Sequence, residues 1–296
     1  MKIAVRKDSR VELNIKTAVQ KSVRIFPKLL LGFYSLVCLY PLLWMVLYSF
    51  KNNNEIFSSN VFGLPSVWRV ENYIKAWSKF NVVLYFKNST VVAVLTVIIT
   101  TLLAIMFAYA TSRMKWKLSS AAYIYITTGM FIPVQIVIIP LLILLRNTLH
   151  VSNTYLAVVI PYVAFQLPFS TIVFHGFFRS IPNEIEEAAG IDGAGVYSTF
   201  FRIMLPLVKP AIATVSIFVF LFAWNELLMA LILLTNSDLY TLPLGLINFQ
   251  GDYQMSTDWG AMGAAMVISS FPTVIVYLFL SEQVEKAFNT GAAVKG

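Results

Sequence analysis

Apolar residues run along this chain in long unbroken blocks separated by short polar stretches. Reading between the charged positions isolates six of them: Leu29–Phe50, Asn88–Ser112, Leu118–Leu145, Val151–Phe178, Pro210–Ser237 and Trp259–Ser281. A helix needs about 20 mainly apolar residues to cross the hydrocarbon core of a bilayer, and every block is long enough. The blocks are apolar all round. A transmembrane barrel would instead show alternating strands of about ten residues. Helices satisfy their own backbone hydrogen bonds in lipid. The pattern therefore predicts an all-α, polytopic membrane bundle with six transmembrane helices over 29–282, an amino-terminal segment 1–28 and a tail 283–296.

Composition agrees with the pattern. Of 296 residues, 58% are apolar and 12% charged, where a soluble domain carries about a quarter charged. The formal charge of +8 raises the question of nucleic acid, but eight Lys/Arg lie within the first 28 residues, as in the cytoplasmic flank of a first membrane helix. No basic segment is interleaved with base-stacking aromatics, which excludes a nucleic-acid surface. With the amino terminus inside, the cytoplasmic segments hold 16 Lys/Arg and the external ones 6, so both termini are expected in the cytoplasm. The first block is too long for a secretory signal, and no small-residue cleavage site follows it. The one cysteine, Cys38, excludes an intrachain disulfide and reads as a small buried hydrophobe.

Polar features inside the blocks are few. Proline interrupts four of them at Pro41, Pro133, Pro140, Pro161, Pro168 and Pro272. Gln135 and Gln166 lie beside two of these breaks, where they either hydrogen-bond helix to helix or line a passage. Glu226, next to Asn225, is the one acidic residue within a block. A mid-bilayer charge costs at least about 2.5–3.5 kcal/mol, so it is expected to face the bundle interior, as a strut or on a solute path. Gln135, Gln166, Asn225 and Glu226 are thus the candidate translocation residues. Outside the blocks, the aromatic-rich stretch from Lys51 to Lys87 predicts an interfacial cap with a short amphipathic helix around Glu71–Lys79.

The connection over 180–208 carries the richest pattern. Asn183 is placed to cap a helix whose first turn holds Glu184, Glu186 and Glu187, where the helix dipole favours acids. Ala188 and Ala189 leave a smooth surface for close approach. Gly190 and Gly193 allow backbone geometry that a side chain would obstruct. A second helix then leads through Leu205-Pro206-Leu207 into the fifth block.

Glu187-Ala188-Ala189, Gly190, Asp192-Gly193 and Leu205-Pro206, in this connection of a six-span chain, resemble the "EAA" loop of permease subunits of ATP-binding-cassette importers. The ending Asn289-Thr290-Gly291-Ala292-Ala293-Val294-Lys295-Gly296, the pair Asn88-Ser89 and Trp224-Asn225-Glu226 are similar to the shorter permease of maltose-type carbohydrate systems. Thr290 and the doubled Ala292-Ala293 depart slightly from the usual tail. The resemblance implies cytoplasmic coupling helices at 180–208 that dock on an ATPase subunit. It also implies tail contacts by Gly291, Lys295 and Gly296, and a place in a bacterial inner membrane. The implied partners are a second permease subunit in a heterodimer, two copies of the ATPase subunit and an extracytoplasmic sugar-binding protein, besides membrane lipid. A permease of the same kind for a non-sugar solute, and a secondary transporter, are the alternatives.

No chemistry of catalysis is legible. The chain has no GxxxxGK[ST] phosphate loop, so ATP and Mg are expected on the partner ATPase and no cofactor on this chain. His150 and His175 are isolated, and no metal site is predicted.

Overall fold

The computed structural model describes the backbone of residues 2–79, 81–247 and 257–293, which form a helical bundle with no strand among them. Helix α1 (Lys2–Ser49) continues without a break from the basic segment into the first apolar block. The helix α2 (Glu71–Lys79) matches the expected amphipathic element. Next come α3 (Val82–Ser112), α4 (Ser119–Thr128), α5 (Val134–Ile143) and α6 (Leu156–Ser180). The connection that follows holds α7 (Glu184–Ile191), α8 (Val196–Ser198) and α9 (Leu205–Leu207), with a π-helical turn Thr199–Met204 between the last two. The chain continues through α10 (Lys209–Asn225), α11 (Leu228–Leu233), α12 (Leu242–Ile247) and α13 (Trp259–Ala293).

Four helices are long and apolar enough to cross a membrane: α3, α6 and the Phe26–Ser49 and Trp259–Phe279 parts of α1 and α13. Counting each of two bent pairs, Ser119–Phe131 with Val134–Thr148 and Val196–Leu207 with Lys209–Asn225, as one crossing raises the number to six among the described residues. The third block is not one helix. Ser119–Phe131 and Val134–Thr148 meet at 103°. Pro133 has no N–H to continue the ladder and forces Ile132 into an extended conformation, with φ −84° and ψ 112°. The fifth block is also interrupted. Its helix α10 ends at Asn225 after 17 residues, about 25 Å, and Glu226 is extended before α11 begins.

Helices α3 and α6 form the centre and pack along each other. Ser89, Ala93, Thr96, Thr100, Ala104 and Ala108 recur on one face of α3 at intervals of three or four residues, and all are essentially fully buried. Small side chains at this spacing let helix backbones approach closely, which is how helices associate where lipid is as apolar as leucine. Two apolar clusters extend from this seam. One surrounds Tyr162, Trp224 and Met229, and the other gathers Phe174, Phe178, Phe200 and Met204 at the end that carries Arg113, Lys115 and Lys117. Residues 26–43 of α1 are exposed, and the helix meets α13 near its end, where Tyr48 and Ser49 face Gly263. Cys38 is exposed on it, because that helix has no neighbour there to bury it.

The opposite end is closed by the 51–79 cap. Lys51 is 1% exposed. It is tolerated because its ammonium donates to the carbonyls of Asn60 (2.6 Å) and Val61 (3.1 Å). Ser66 donates to Glu55 from both its side chain and its N–H, holding that carboxyl below the usual carboxylate range. With the folded value depressed, its contribution to the cap is present at neutral pH and is lost as pH falls through that value. The cap meets α13 at Gly260, where a Cβ would stand 2.3 Å from the Lys51 carbonyl oxygen. Backbone cannot move aside as a side-chain tip can. Gly260→Ala is therefore expected to lower stability by about 1–3 kcal/mol, read as a lower melting temperature of the purified protein.

Candidate functional site

Helix α7 ends in a Schellman turn. The Ala194 N–H donates to the Ala189 carbonyl (2.9 Å) and the Gly193 N–H to that of Gly190 (3.1 Å). Gly193 occupies the left-handed position with φ +79°, where a side chain would be strained. Gly190 differs from expectation. It is an ordinary helical residue, and a Cβ there would meet nothing within 4 Å. Its effect is to leave the outer face of α7 bare.

That face is open. Glu187, Ala188, Gly190, Asp192 and Gly193 are exposed, Ile191 is 87% exposed and Tyr197 82% exposed, while Ala189 turns inward. The structure thus brings the residues of 187–193 together on one projecting turn. Leu205 is not on it. It packs against the Phe174–Phe200 cluster, and Pro206 lies exposed at the foot of the connection. Gly291 lies within α13, and Lys295 and Gly296 lie outside the described residues.

The inner side of the connection is tied to the bundle by residues that sequence reading did not single out. Arg113, at the end of α3, donates to the Phe178 and Ile181 carbonyls and to Asn183 Oδ1, and lies 3.5 Å from Glu186. Tyr109 donates to Glu186 Oε1 at 2.9 Å. Asn183 therefore does not cap α7 with its side chain, as expected from the pattern; it serves Arg113 instead. A cavity of about 740 Å³ opens between the 113–118 connection and α7, lined by Arg113, Lys115, Asn183, Glu186 and Glu187 among others. Beside it, Met106, Met114, Tyr197, Phe200 and Phe201 line an apolar cleft of about 240 Å³. The signal for Arg113 was its position as a charge closing an apolar block, which in the sequence counted only toward orientation.

Within the bundle the four candidate path residues do not converge. Gln166 lines a cavity of about 330 Å³ with Gly129, Met130, Phe165, Phe169, Phe218 and Phe222, beside the break in the third span. Gln135 is exposed on α5, and the exposed Asn225 donates back to Leu221 O at 2.7 Å. Glu226 is half-buried and held by three donors. These are the Tyr162 hydroxyl (2.6 Å), the Met229 N–H (2.8 Å) and the Ala230 N–H (3.2 Å). It joins α6 to the start of α11 and does not line the Gln166 cavity, although its partner Tyr162 packs edge-on to Phe222 of that lining, with ring centroids 5.6 Å apart. The described residues hold no group of three or more His, Cys, Asp or Glu that could bind a metal ion. His175 stacks on Tyr123, with ring centroids 4.0 Å apart.

Comparison with known proteins adds to this geometry. The family model described as "Binding-protein-dependent transport system inner membrane component" matches residues 100–290. The diacetylchitobiose uptake system permease protein NgcG of Streptomyces coelicolor is 37% identical over 262 residues, 88% of this chain and 86% of the relative. The trehalose/maltose transport system permease protein MalG of Thermococcus litoralis is 33% identical over 260 residues, 87% of this chain and 92% of the relative. Among solved structures, a chain of a bacterial ABC transporter involved in the import of the acidic polysaccharide alginate superposes with a TM-score of 0.77 at 23% identity. That match covers 88% of this chain and 96% of the other, and it speaks to the fold.

Proposed function

The chain belongs to the family of binding-protein-dependent transport system inner membrane components, and from that premise we propose that it is one of two paired permeases of an ATP-binding-cassette importer for oligosaccharides. It is a multi-pass inner-membrane subunit and not itself an enzyme. Two copies of a cytoplasmic ATPase, which hold the ATP and Mg, dock on the projecting turn at 187–193. A sugar-binding protein delivers its cargo to the opposite face, and both termini are cytoplasmic. The observation that carries this reading is the α7 turn, a bare and acidic surface held out from the bundle while its inner side is bonded to Arg113 and Tyr109 at the end of α3. Closure of the ATPases moves the turn, and the bundle alternates between inward and outward openings. The names of the relatives support a carbohydrate as the solute.

The test is reconstitution in liposomes with its second permease, ATPase and binding protein. Uptake of maltose, trehalose or diacetylchitobiose that requires both ATP and the binding protein is expected. Uptake of an amino acid or peptide in place of all three sugars would overturn the carbohydrate assignment, and uptake without ATP would overturn the importer.

The Gln166 cavity is this subunit's contribution to the sugar path. Phe165, Phe169, Phe218 and Phe222 offer aromatic faces to the apolar faces of a pyranose, and the Gln166 amide offers both a donor and an acceptor to hydroxyls. Gln166→Leu removes one such pairing, worth about 1 kcal/mol or somewhat more. The apparent KM for uptake should rise about fivefold while ATP hydrolysis is unchanged. An unchanged KM would remove Gln166 from the path.

A further inference from the structure

Helix α3 grips the chain at both of its ends. At one end Arg113 and Tyr109 hold the α7 connection through Asn183, Glu186 and the last carbonyls of α6. The Arg113 side chain is only 6% exposed, and cationic donors at helix C-terminal carbonyls are favourably placed. At the other end Asn88 and Ser89, both buried, hold the opposite surface. Asn88 donates to the carbonyls of Asp238 (2.8 Å) and Tyr240 (3.0 Å) and accepts from Tyr155 (2.7 Å). Ser89 accepts from the Leu242 N–H at 2.7 Å.

Helix α3 is one unbroken helix of 31 residues with no proline, and the clamps at Ser89 and Arg113 stand about 36 Å apart along it. Every other route across the bundle from the α7 connection is softer. The covalent route into α10 turns through 72° at Val208, and α10 is interrupted again at Glu226. Helix α6 contains Pro161 and Pro168.

We propose that α3 is the rod that carries movement between the ATPase-docking turn and the opposite surface, with Arg113 and Asn88 as positioning residues that fasten it at each end. The proposal rests on the importer reading given above. Docking-turn displacement pulls the end of α3 through the Arg113 fork, and the 238–242 segment follows through Asn88 and Ser89. Coupling between sites is reciprocal, so a sugar-loaded binding protein arriving at the far surface stimulates hydrolysis through the same rod.

The experiment measures ATP hydrolysis by the assembled complex with and without sugar-loaded binding protein. Arg113→Met and Asn88→Leu are expected to keep ATPase co-purification and basal hydrolysis while stimulation falls by about fivefold or more, since each removes several bonds to a buried group. Because lysine cannot reproduce the planar fork, Arg113→Lys should recover little of the stimulation. If either larger variant fails to assemble, Tyr109→Phe and Ser89→Ala remove a single bond at each end and should halve the stimulation. Thr90→Val, on the exposed side of α3 beside Ser89, should match the parent. Parental stimulation in Arg113→Met and Asn88→Leu, or in both single-bond variants, would overturn the rod. A parent complex whose hydrolysis ignores the binding protein would overturn the importer reading itself.

Discussion

Gly193→Asp should insert and pair with the second permease at near-parental levels and yet bind the ATPase weakly and lose ATP-driven uptake by roughly a hundredfold. The local cost is small. Gly193 sits at φ +79°, and aspartate is among the side chains that visit this left-handed region, at about 1–2 kcal/mol. Nothing stands within 4 Å of the position where its Cβ would be, so the turn keeps its shape. What changes is the exposed surface beside Glu187 and Asp192, where a further carboxylate would have to be desolvated against the ATPase. Gly193→Ala separates the two effects, because it carries the strain without the charge and should retain most of the uptake. The measurement is sugar imported per inserted permease pair in liposomes, with ATPase co-purification read beside it. Parental uptake by Gly193→Asp would show that the 187–193 turn is not the docking surface.

Glu226→Leu should prevent assembly of most of the complex. Its carboxylate accepts from the Tyr162 hydroxyl and from two backbone N–H groups at the start of α11. Leucine leaves all three donors without a partner in a region where water is scarce. At about 1–3 kcal/mol for each buried donor left unpaired, the loss is a large fraction of the stability of a typical domain. Glu226→Gln is the informative companion. With its carbonyl oxygen toward Met229 and its amide donating to the Tyr162 oxygen, it keeps two of the three bonds and loses the 3.2 Å bond from Ala230. The Gln variant should therefore assemble with a cost of about 1 kcal/mol and transport nearly as the parent. The measurement is the yield of assembled complex together with uptake per complex. Full assembly with lost uptake in Glu226→Gln would move this residue from the strut to the sugar path.

Much of the architecture was legible in the sequence because membrane burial is a one-dimensional constraint. A block of some twenty apolar residues has to span, and a polar segment of moderate length has to lie outside. For the same reason α2 could be placed at Glu71–Lys79 from its amphipathic spacing alone, and the α7 turn from its acids, alanines and glycines. The errors fall where the outcome depends on a partner distant in the chain. Asn183 had the chemistry of a helix cap, but Arg113, seventy residues earlier, takes its side-chain oxygen. Leu205 belonged to the same motif as Glu187, but a buried aromatic cluster draws it to the opposite side of the connection.

What the chain determined by itself is its character as a bundle of apolar, membrane-spanning helices and the single turn at Gly193 where a left-handed backbone is required. These follow from transfer free energies and backbone sterics, which act residue by residue. Only the tertiary structure decided that the third span breaks through 103° at Pro133, where the same proline in another packing would give a gentle kink. It alone left Glu226 outside the lining of the Gln166 cavity, and it alone joined Arg113 and Asn88 to opposite surfaces of the protein through one helix. Those facts depend on which carbonyls and side chains stand opposite one another after the helices have packed, and hydrophobic pattern carries no record of that pairing.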